Sequence, residues 1–533
     1  MCIRDRAWKG WLEALPTELV RVRPVLSVYY AFALLPGDLD AADAHLQDAE
    51  RGLDQTAEIS ERPQAPPAES SPKPFDYDQD ELRRGIIVVN DEEFRSLPGT
   101  IAIARAYRAG ALGDLPGTLH YARQALDRLP ARDWFWRGAA AALLGIAYWT
   151  SGDLEAAHRA IADGMASTRM VSGIGATTSF AYLLADIRLA QGRLHEAART
   201  CEQALQLVAE QAGPVPQGTA DLYVLLSEVH LERNDLAAAT ACLLRSQELG
   251  AHTVLPEARH RWHVAKARLT ATQGNLDGAL DLLDQAERLY LSGPTPDIHP
   301  IAALKAGVWI DQGKAAEALG WARARGLTAD DDLSYPREFE HITLARALLA
   351  EYRSTGVERC LHEALRFLAR LLQAAEAGGR QGHAIAILSL QALVHAAQGE
   401  PSLALAPLAH ALALAEPEGF VRVFVGEGLP MAALLQAADQ HNIAPHYAGR
   451  LRAAFGQVDG MTLVPQPLTA QRAFTSEPLS DRECEVLRLL ATELSGPEIA
   501  CRLMVSLNTL HTHTKRIYSK LGVNNRRAAV RRA

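Results

Sequence analysis

A short turn phrase, Gly then Asp or Asn then Leu, returns along this chain about every 40 residues, and a fixed period of that length constrains the fold more than any other feature. Its Gly, or the residue replacing it, stands at 113, 152, 192, 234, 274, 313, 356 and 399, with spacings of 39, 40, 42, 40, 39, 43 and 43. An earlier copy lies at Gly37-Asp38-Leu39. Helical apolar patterns flank the phrase on both sides. Gly closes the first helix cheaply in the left-handed conformation, and Asp or Asn accepts backbone N–H bonds that start the second. Ala falls five residues after the anchor at 42, 157, 197, 239, 279, 318 and 404, where its small side chain permits close helix approach. A single helix pair cannot bury its apolar face alone, so the pairs are expected to stack into an all-α superhelix. Loops at Gly213-Pro214-Val215-Pro216 and Gly293-Pro294-Thr295-Pro296 end second helices. Only Phe420-Val421-Arg422-Val423-Phe424-Val425 reads as a short extended piece.

Composition removes several alternatives. Of 533 residues, 48% are hydrophobic and 22% charged, enough for a sizeable core and against global disorder. The longest apolar run, Ala139 to Trp149, is 11 residues, short of the ~18 that a membrane span needs. No apolar stretch follows the opening Met1-Cys2-Ile3-Arg4-Asp5-Arg6, so no secretory leader is expected. The six cysteines form no C-x-x-C pair, the usage of a reducing cytosol. Residues 57–80 hold five prolines and six acids and are expected to be a disordered insertion. Residues 456–476 read as a linker, which leaves a repeat body of 1–455 and a terminal module of 477–533.

Charge separates the two. Residues 477–533 contain ten Lys and Arg against six acids, a balance of +4, whereas the whole chain carries -9. After Glu498 there are eight basic residues and no acid. The local signals in the module agree with one another. Ser480-Asp481-Arg482-Glu483 is a capping box before a helix whose inner face is Val486, Leu487 and Leu490. Ser495-Gly496-Pro497-Glu498 starts a second, burying Ile499, Ala500 and Leu503. Ser506 caps a third with the stripe Leu510, Ile517 and Leu521. Two short helices joined by a tight turn, the second with a polar, basic outer face, are a helix-turn-helix. Asn508, Thr509, His511, Thr512 and Lys515 lie away from the buried stripe and suit base edges in a major groove, while Arg516 and Lys520 suit phosphates. Ser495, Gly496 and Ser506, at the starts of the second and third helices, complete the expected DNA-facing set.

These residues carry a family resemblance. Leu479-Ser480-Asp481-Arg482-Glu483-Cys484-Glu485-Val486-Leu487, Leu494-Ser495-Gly496-Pro497-Glu498-Ile499-Ala500, Val505-Ser506-Leu507-Asn508-Thr509-Leu510 and Lys520-Leu521-Gly522-Val523-Asn524-Asn525-Arg526 resemble the LuxR-type DNA-binding domain. The body is similar to the TPR-like sensor of the MalT-like subgroup, through Glu416-Pro417-Glu418-Gly419-Phe420-Val421-Arg422-Val423-Phe424-Val425 and the opening Trp11-Leu12-Glu13-Ala14-Leu15-Pro16. The resemblance implies a cytoplasmic transcription regulator, an activator by expectation. It would bind double-stranded DNA as a dimer or higher oligomer, contact RNA polymerase, and take a small-molecule or protein inducer on its helical repeats. Thr509, His511, Thr512 and Lys515 correspond to groove-approaching positions of the family. Two residues depart from it: His511 replaces the usual Lys or Arg, and Thr514 replaces an apolar residue.

Members of the subgroup bind ATP through an N-terminal domain built on G-x-x-x-x-G-K-[S/T]. The only Gly-Lys pair here, Gly313-Lys314, has Val308 where Gly is required and Ala315 where Ser or Thr is required. No cofactor is therefore expected in this chain, no enzymatic activity either, and the ATPase is expected to be missing from it. His511 and His513, two apart on a helix, face apart and make no metal pair. Trp134-Phe135-Trp136-Arg137 and Trp262-His263 are candidates for a ligand groove. The alternative function is a protein-interaction scaffold with a secondary or inactive DNA-binding module, which the acid-free basic end argues against.

Overall fold

The computed structural model describes residues 10, 14–60, 91–168, 173–211, 213–255, 258–459 and 481–490, with isolated residues at 492, 494, 498, 499, 502, 503, 510 and 514. The chain divides into two compact units, Met1–Gly460 and Met461–Ala533. Among the described residues of the first unit, nine helical hairpins follow a short opening helix, α1 (Thr17–Arg21). They are α2 (Pro24–Leu34) with α3 (Leu39–Ser60), α4 (Asp91–Ala111) with α5 (Leu115–Arg128), and α6 (Trp134–Ser151) with α7 (Leu154–Thr168). Next come α8 (Gly173–Ala190) with α9 (Leu194–Glu210), α10 (Thr219–Glu232) with α11 (Leu236–Leu249), and α12 (Arg261–Thr272) with α13 (Leu276–Leu289). The last are α14 (Ile301–Asp311) with α15 (Ala315–Ala324), α16 (Glu338–Thr355) with α17 (Glu358–Ala377), and α18 (Gln381–Ala397) with α19 (Pro401–Ala415). Three short helices finish the unit: α20 (Arg422–Val425), α21 (Leu429–Gln440) and α22 (Pro445–Asp459). The fold is all-α, with no strand among the described residues.

Every anchor of the 40-residue period sits in the turn inside a hairpin. The eight from 113 to 399 all adopt positive φ, between 61° at Asn234 and 88° at Gly152. Asn is the non-glycine residue that tolerates this region best. At seven of the eight the residue after the anchor then donates to the carbonyl five positions back, as Asp153 does to Tyr148 at 3.0 Å, the Schellman closure, whereas Gly356 itself donates to the Tyr352 carbonyl at 2.7 Å. Gly37 closes its turn without positive φ, through donation from Gly37 and Asp38 to the Leu34 carbonyl at 2.9 and 2.8 Å. Asp38, Asp114, Asp153, Asp235 and Asn275 each accept from the N–H three residues on at 2.9 to 3.0 Å, so one short side chain caps each second helix. Asp235→Ala should therefore cost about 1 kcal/mol in urea unfolding, against no measurable change for the exposed, uncapping Lys314→Ala.

The seven alanines five residues after an anchor are all at most 2% exposed. They let each second helix settle against its partner at short range. Stacking buries one core that joins α8–α10 to α15–α22 and includes Phe367, Leu368, Leu388 and Phe424. The superhelix winds far enough for distant repeats to touch. Trp149 donates to the Tyr335 hydroxyl at 3.1 Å, and a Cβ on Gly192 would stand 2.6 Å from the backbone nitrogen of Gly382. Gly192 is thus required twice, by its φ of +79° and by that close approach.

Three expectations need adjustment. Phe420–Val425 contains no strand; residues 422–425 form α20. No neighbouring strand is available among the described residues to pair it, so most of its amides are satisfied locally, Val425 donating to Val421 at 3.1 Å and Gly426 to Arg422 at 2.8 Å. Helix α3 runs on to Ser60, taking in the first residues of the expected insertion, and residues 61–80 lie outside the described residues. Helix α22 likewise extends to Asp459, four residues past the expected end of the body.

Candidate DNA-binding module and central cavity

In the terminal unit, helix α23 (Asp481–Leu490) turns Val486, Leu487 and Leu490 inward at the spacing its sequence predicts. They meet Ile499, Leu503 and Leu510 in one core whose members are at most 7% exposed. Each of the three predicted helices contributes to it. Thr514, the polar departure noted above, is half-buried and donates its hydroxyl to the Leu510 carbonyl at 2.8 Å, so its polarity is satisfied within its own helix. The basic side chains of Arg488 and Arg502 are exposed. Ser495, Gly496, Ser506, Asn508, Thr509, His511, Thr512, Lys515, Arg516 and Lys520 all lie outside the described residues.

The repeat body holds a feature that its sequence did not announce. The first helices of successive hairpins, from α4 to α18, face a bore with a cavity of about 660 Å³. Most of its wall is aliphatic, with Tyr107, Tyr182, Tyr290, Phe339 and Phe420 among the lining residues. The aromatic residues that were candidates for a ligand groove do not line it. Trp134 and Phe135 are exposed, Trp136 stacks on Phe32 at 5.1 Å, and Trp262 donates to the Leu243 carbonyl at 3.1 Å; none of them lines the cavity.

Charges are set into that wall largely as pairs. Asp186 with Arg261, Glu232 with Arg268 and Glu427 with Arg346 approach to 2.5, 2.7 and 3.2 Å. The Asp186–Arg261 pair is bidentate, and Arg261 also donates to the Tyr182 hydroxyl. Burial pushes the Tyr182 hydroxyl and the Glu228 carboxyl above their ordinary pKa values. Asp297 is raised for the same reason, although its side chain is open to the cavity. His299, also open to the cavity but enclosed by protein beyond it, is held below its usual value by that enclosure and then by His383. Beside it, Glu338 is pushed up by burial, but hydrogen bonds with His383 and Arg380 outweigh this and hold it below the ordinary range.

The stretch from Glu416 to Gly428 forms part of the same wall and ties distant repeats together. Glu418 accepts from the His195 amide at 2.9 Å, capping α9, whose own N-cap residue is Arg193 rather than Asp or Asn. Val421 donates to the last carbonyl of α10, Glu232, at 2.8 Å. Tyr447 donates to the Phe420 carbonyl, and Phe424 is fully buried. Gly313-Lys314 is a repeat turn. Gly313 and Lys314 donate internally to Ile310 and Trp309 at 2.9 and 2.8 Å, so those amides are not presented to a phosphate. Cys201 is fully buried and its thiol is pushed up in pKa, as a core residue should be. Among the described residues no group of three His, Cys, Asp or Glu is placed to hold a metal.

Hairpins stacked around a charged bore, followed by a small helical module with a basic end, define a helical-repeat protein with an appended regulatory domain. Residues 99–441 match the model of the MalT-like TPR region, so the chain belongs to that family. Residues 477–533 match the model of bacterial regulatory proteins of the luxR family, which makes the terminal module a LuxR-type DNA-binding domain. Neither model describes a catalytic domain. Among solved structures, the chain is similar to Rap protein complexed with competence and sporulation factor, at 12% identity over 76% of this chain and 99% of that one, with a TM-score of 0.48. It is also similar to the apo form of RapI, at 13% identity over 73% and 96%, with a TM-score of 0.41.

Proposed function

We propose that this chain is a cytoplasmic transcription activator that reads double-stranded DNA with its terminal module under the control of its repeat body. The carrying observation is the luxR-family match over residues 477–533, joined to eight basic residues without an acid after Glu498. In this reading Asn508, Thr509, His511, Thr512 and Lys515 face the groove, Arg516 and Lys520 meet phosphates, and Ser495, Gly496 and Ser506 belong to the same surface. The body senses an inducer and supports self-association, and the bound complex recruits RNA polymerase. The chain itself takes no cofactor in this reading, since its one Gly-Lys pair is spent on a repeat turn.

Fluorescence anisotropy on random and selected duplexes at two salt concentrations tests it. The parent should bind both, and more tightly at low salt. Lys515→Ala should cost ~1–3 kcal/mol on the selected site if it meets a base. If it meets only phosphate, the loss should be equal on all sequences and the salt slope should fall by about one. Thr509→Ala leaves charge unchanged, so its loss should appear on the selected site alone. Folded protein that ignores duplex DNA at low salt would leave a protein-interaction scaffold as the better description.

A further inference from the structure

The cavity wall is drawn from early repeats (α4 to α8) and late ones (α12 to α18), and one segment between them is held differently from the rest. Residues 290–300 join α13 to α14 and form no helix or strand. All of residues 290–299 except Ser292 line the cavity. Both ends of the segment are rooted in the late repeats. The Tyr290 ring meets His260 edge-on at 5.0 Å, and the His299 ring meets Phe339 edge-on at 4.7 Å. The middle docks on the early repeats. Pro294 lies on Gly110 of α4, where an added Cβ would stand 2.9 Å from the Pro294 Cβ. Ile298, 7% exposed, shares a core with Trp149 of α6, Ile161 of α7 and Ile187 of α8.

No hydrogen bond secures that docking. Among the described residues, no amide or carbonyl of residues 291–299 makes a backbone–backbone hydrogen bond, and the segment's one bond is internal, from the His299 amide to the Asp297 carboxylate. The cations that act on Asp297, Arg261 and Arg325, belong to the late repeats and form their ion pairs with Asp186 and Glu340 instead. The other links between distant repeats are hydrogen-bonded: Trp149 to Tyr335 at 3.1 Å, His195 to Glu418 at 2.9 Å and Val421 to Glu232 at 2.8 Å. Neighbouring loops are tied as well. Gly218 donates to the Thr253 carbonyl at 2.7 Å, and Arg370 donates to the Ala329 and Asp331 carbonyls at 2.7 Å each. Local opening draws on the least bonded element, which here is the 291–299 segment. Pro294 and Pro296 stiffen it, and a Cβ on Gly293 would meet nothing within 4 Å, so the chain has room to turn there.

We propose that residues 291–298 are the gate of the cavity, a stiff segment rooted in the late repeats that swings off α4 and the α6–α8 core to admit a small organic molecule and docks again behind it. The volume of about 660 Å³ suits an occupant of that size. Such a gate supplies the entry step for the inducer sensing proposed above and rests on that reading. It also gives the body a two-state element. Docked, the segment ties α4 and α6 to α14 and α16. Released, it leaves the early and late repeats joined through the hydrogen-bonded links at Trp149 and His195. Gly110 is the seat of the gate. Any side chain there meets Pro294 and props the segment off, although Ala or Leu suits a helix better than Gly does.

The rate at which a bulky maleimide reaches a thiol inside the cavity measures the gate. Ala386 of α18 lines the cavity, and Ala386→Cys places a thiol there with little change in volume. Labelling is followed on the full chain, without DNA, by peptide mass after digestion. Cys201 of α9, fully buried, reports global unfolding in the same digest. Adding Gly110→Leu should speed labelling of the cavity thiol at least tenfold and leave Cys201 unlabelled. Adding Gly110→Cys with Pro294→Cys should act the other way. A disulfide needs Cβ atoms ~3.5–4.5 Å apart, a shift of about 1 Å from the docked position. Once oxidised, the pair should slow labelling at least tenfold, and reduction should restore the parent rate. A rate left unchanged by Gly110→Leu or by the oxidised pair overturns the gate. So does acceleration that Cys201 shares, or a pair that does not cross-link under oxidation. Since the readout contains no DNA, its failure leaves the duplex-binding result standing, and failure of duplex binding leaves this one standing.

Discussion

Replacing Glu338 by Gln should destabilise the repeat body by about 3–5 kcal/mol, the largest loss expected from any single isosteric change in it. Glu338 is 2% exposed and accepts from Arg380 Nε at 2.9 and 3.0 Å, from Arg380 Nη2 at 2.5 Å and from His383 Nδ1 at 2.5 Å. Arg380 is itself 6% exposed, with its guanidinium over the Tyr335 ring at 5.2 Å. The amide removes one charge and leaves the other buried without a counterion. The penalty is the desolvation of Arg380, so it should fall when both charges go. Glu338→Leu with Arg380→Met should recover most of the loss. A double variant as unstable as Glu338→Gln would show that shape, not charge, matters here.

The same cluster sets a pH dependence. Hydrogen bonding holds the folded Glu338 carboxyl below its ordinary value of 4.5. A carboxyl lowered on folding contributes stability that is present above the unfolded value and is lost as pH falls through the folded one. The gap between parent and Glu338→Gln should thus be full near pH 7 and narrow as the pH falls below 4.5. Urea midpoints at pH 7, 5 and 3.5 would show it, and a constant gap would contradict it.

The fold was legible because the sequence repeats its local instructions. An anchor able to take positive φ, a capping Asp or Asn and an Ala five residues on appear together, and they act within a single hairpin, so no long-range contact is needed to read them. The core of the terminal module was legible for the same reason: Leu487, Leu503 and Leu510 fall at helical spacing between caps. The cavity was not. Asp186, Glu228 and Arg261 are far apart in sequence and look like ordinary helix charges until the superhelix turns the first helices inward. A signal did exist, since each sits on the otherwise apolar face of a first helix, where an unpaired charge is costly. The Trp and Phe residues of 134–136 were the more visible feature and the less relevant one, because Phe32 and solvent take their faces. Phe420–Val425 misled for a different reason. Its alternation is that of a strand, but its neighbours are helix ends, and a strap over helix ends satisfies its backbone by turns.

Leu510→Ala should unfold the terminal module at ordinary temperature and abolish duplex binding by the full chain. Six apolar side chains, Val486, Leu487, Leu490, Ile499, Leu503 and Leu510, make up its core among the described residues. Leu510 is 2% exposed, so its truncation leaves a cavity and costs about 2–5 kcal/mol. A single core in a unit this small supplies roughly 3–5 kcal/mol in all. The loss is therefore of the same size as the stability itself, whereas one leucine from the extended core of the repeat body would be absorbed. Calorimetry on the full chain should show the module's transition vanish while that of the body stays in place. Anisotropy should show binding to random and selected duplexes lost alike, since no folded surface remains. Thr514→Ala is the matched control. Its hydroxyl only back-bonds to the Leu510 carbonyl, so its loss should change stability by less than ~1 kcal/mol. An L510A protein that melts like the parent would mean that the third helix does not share the core. The proposed assignment of Thr509 and Lys515 to a groove-facing surface would fall with it, because that proposal rests on Leu510 being buried.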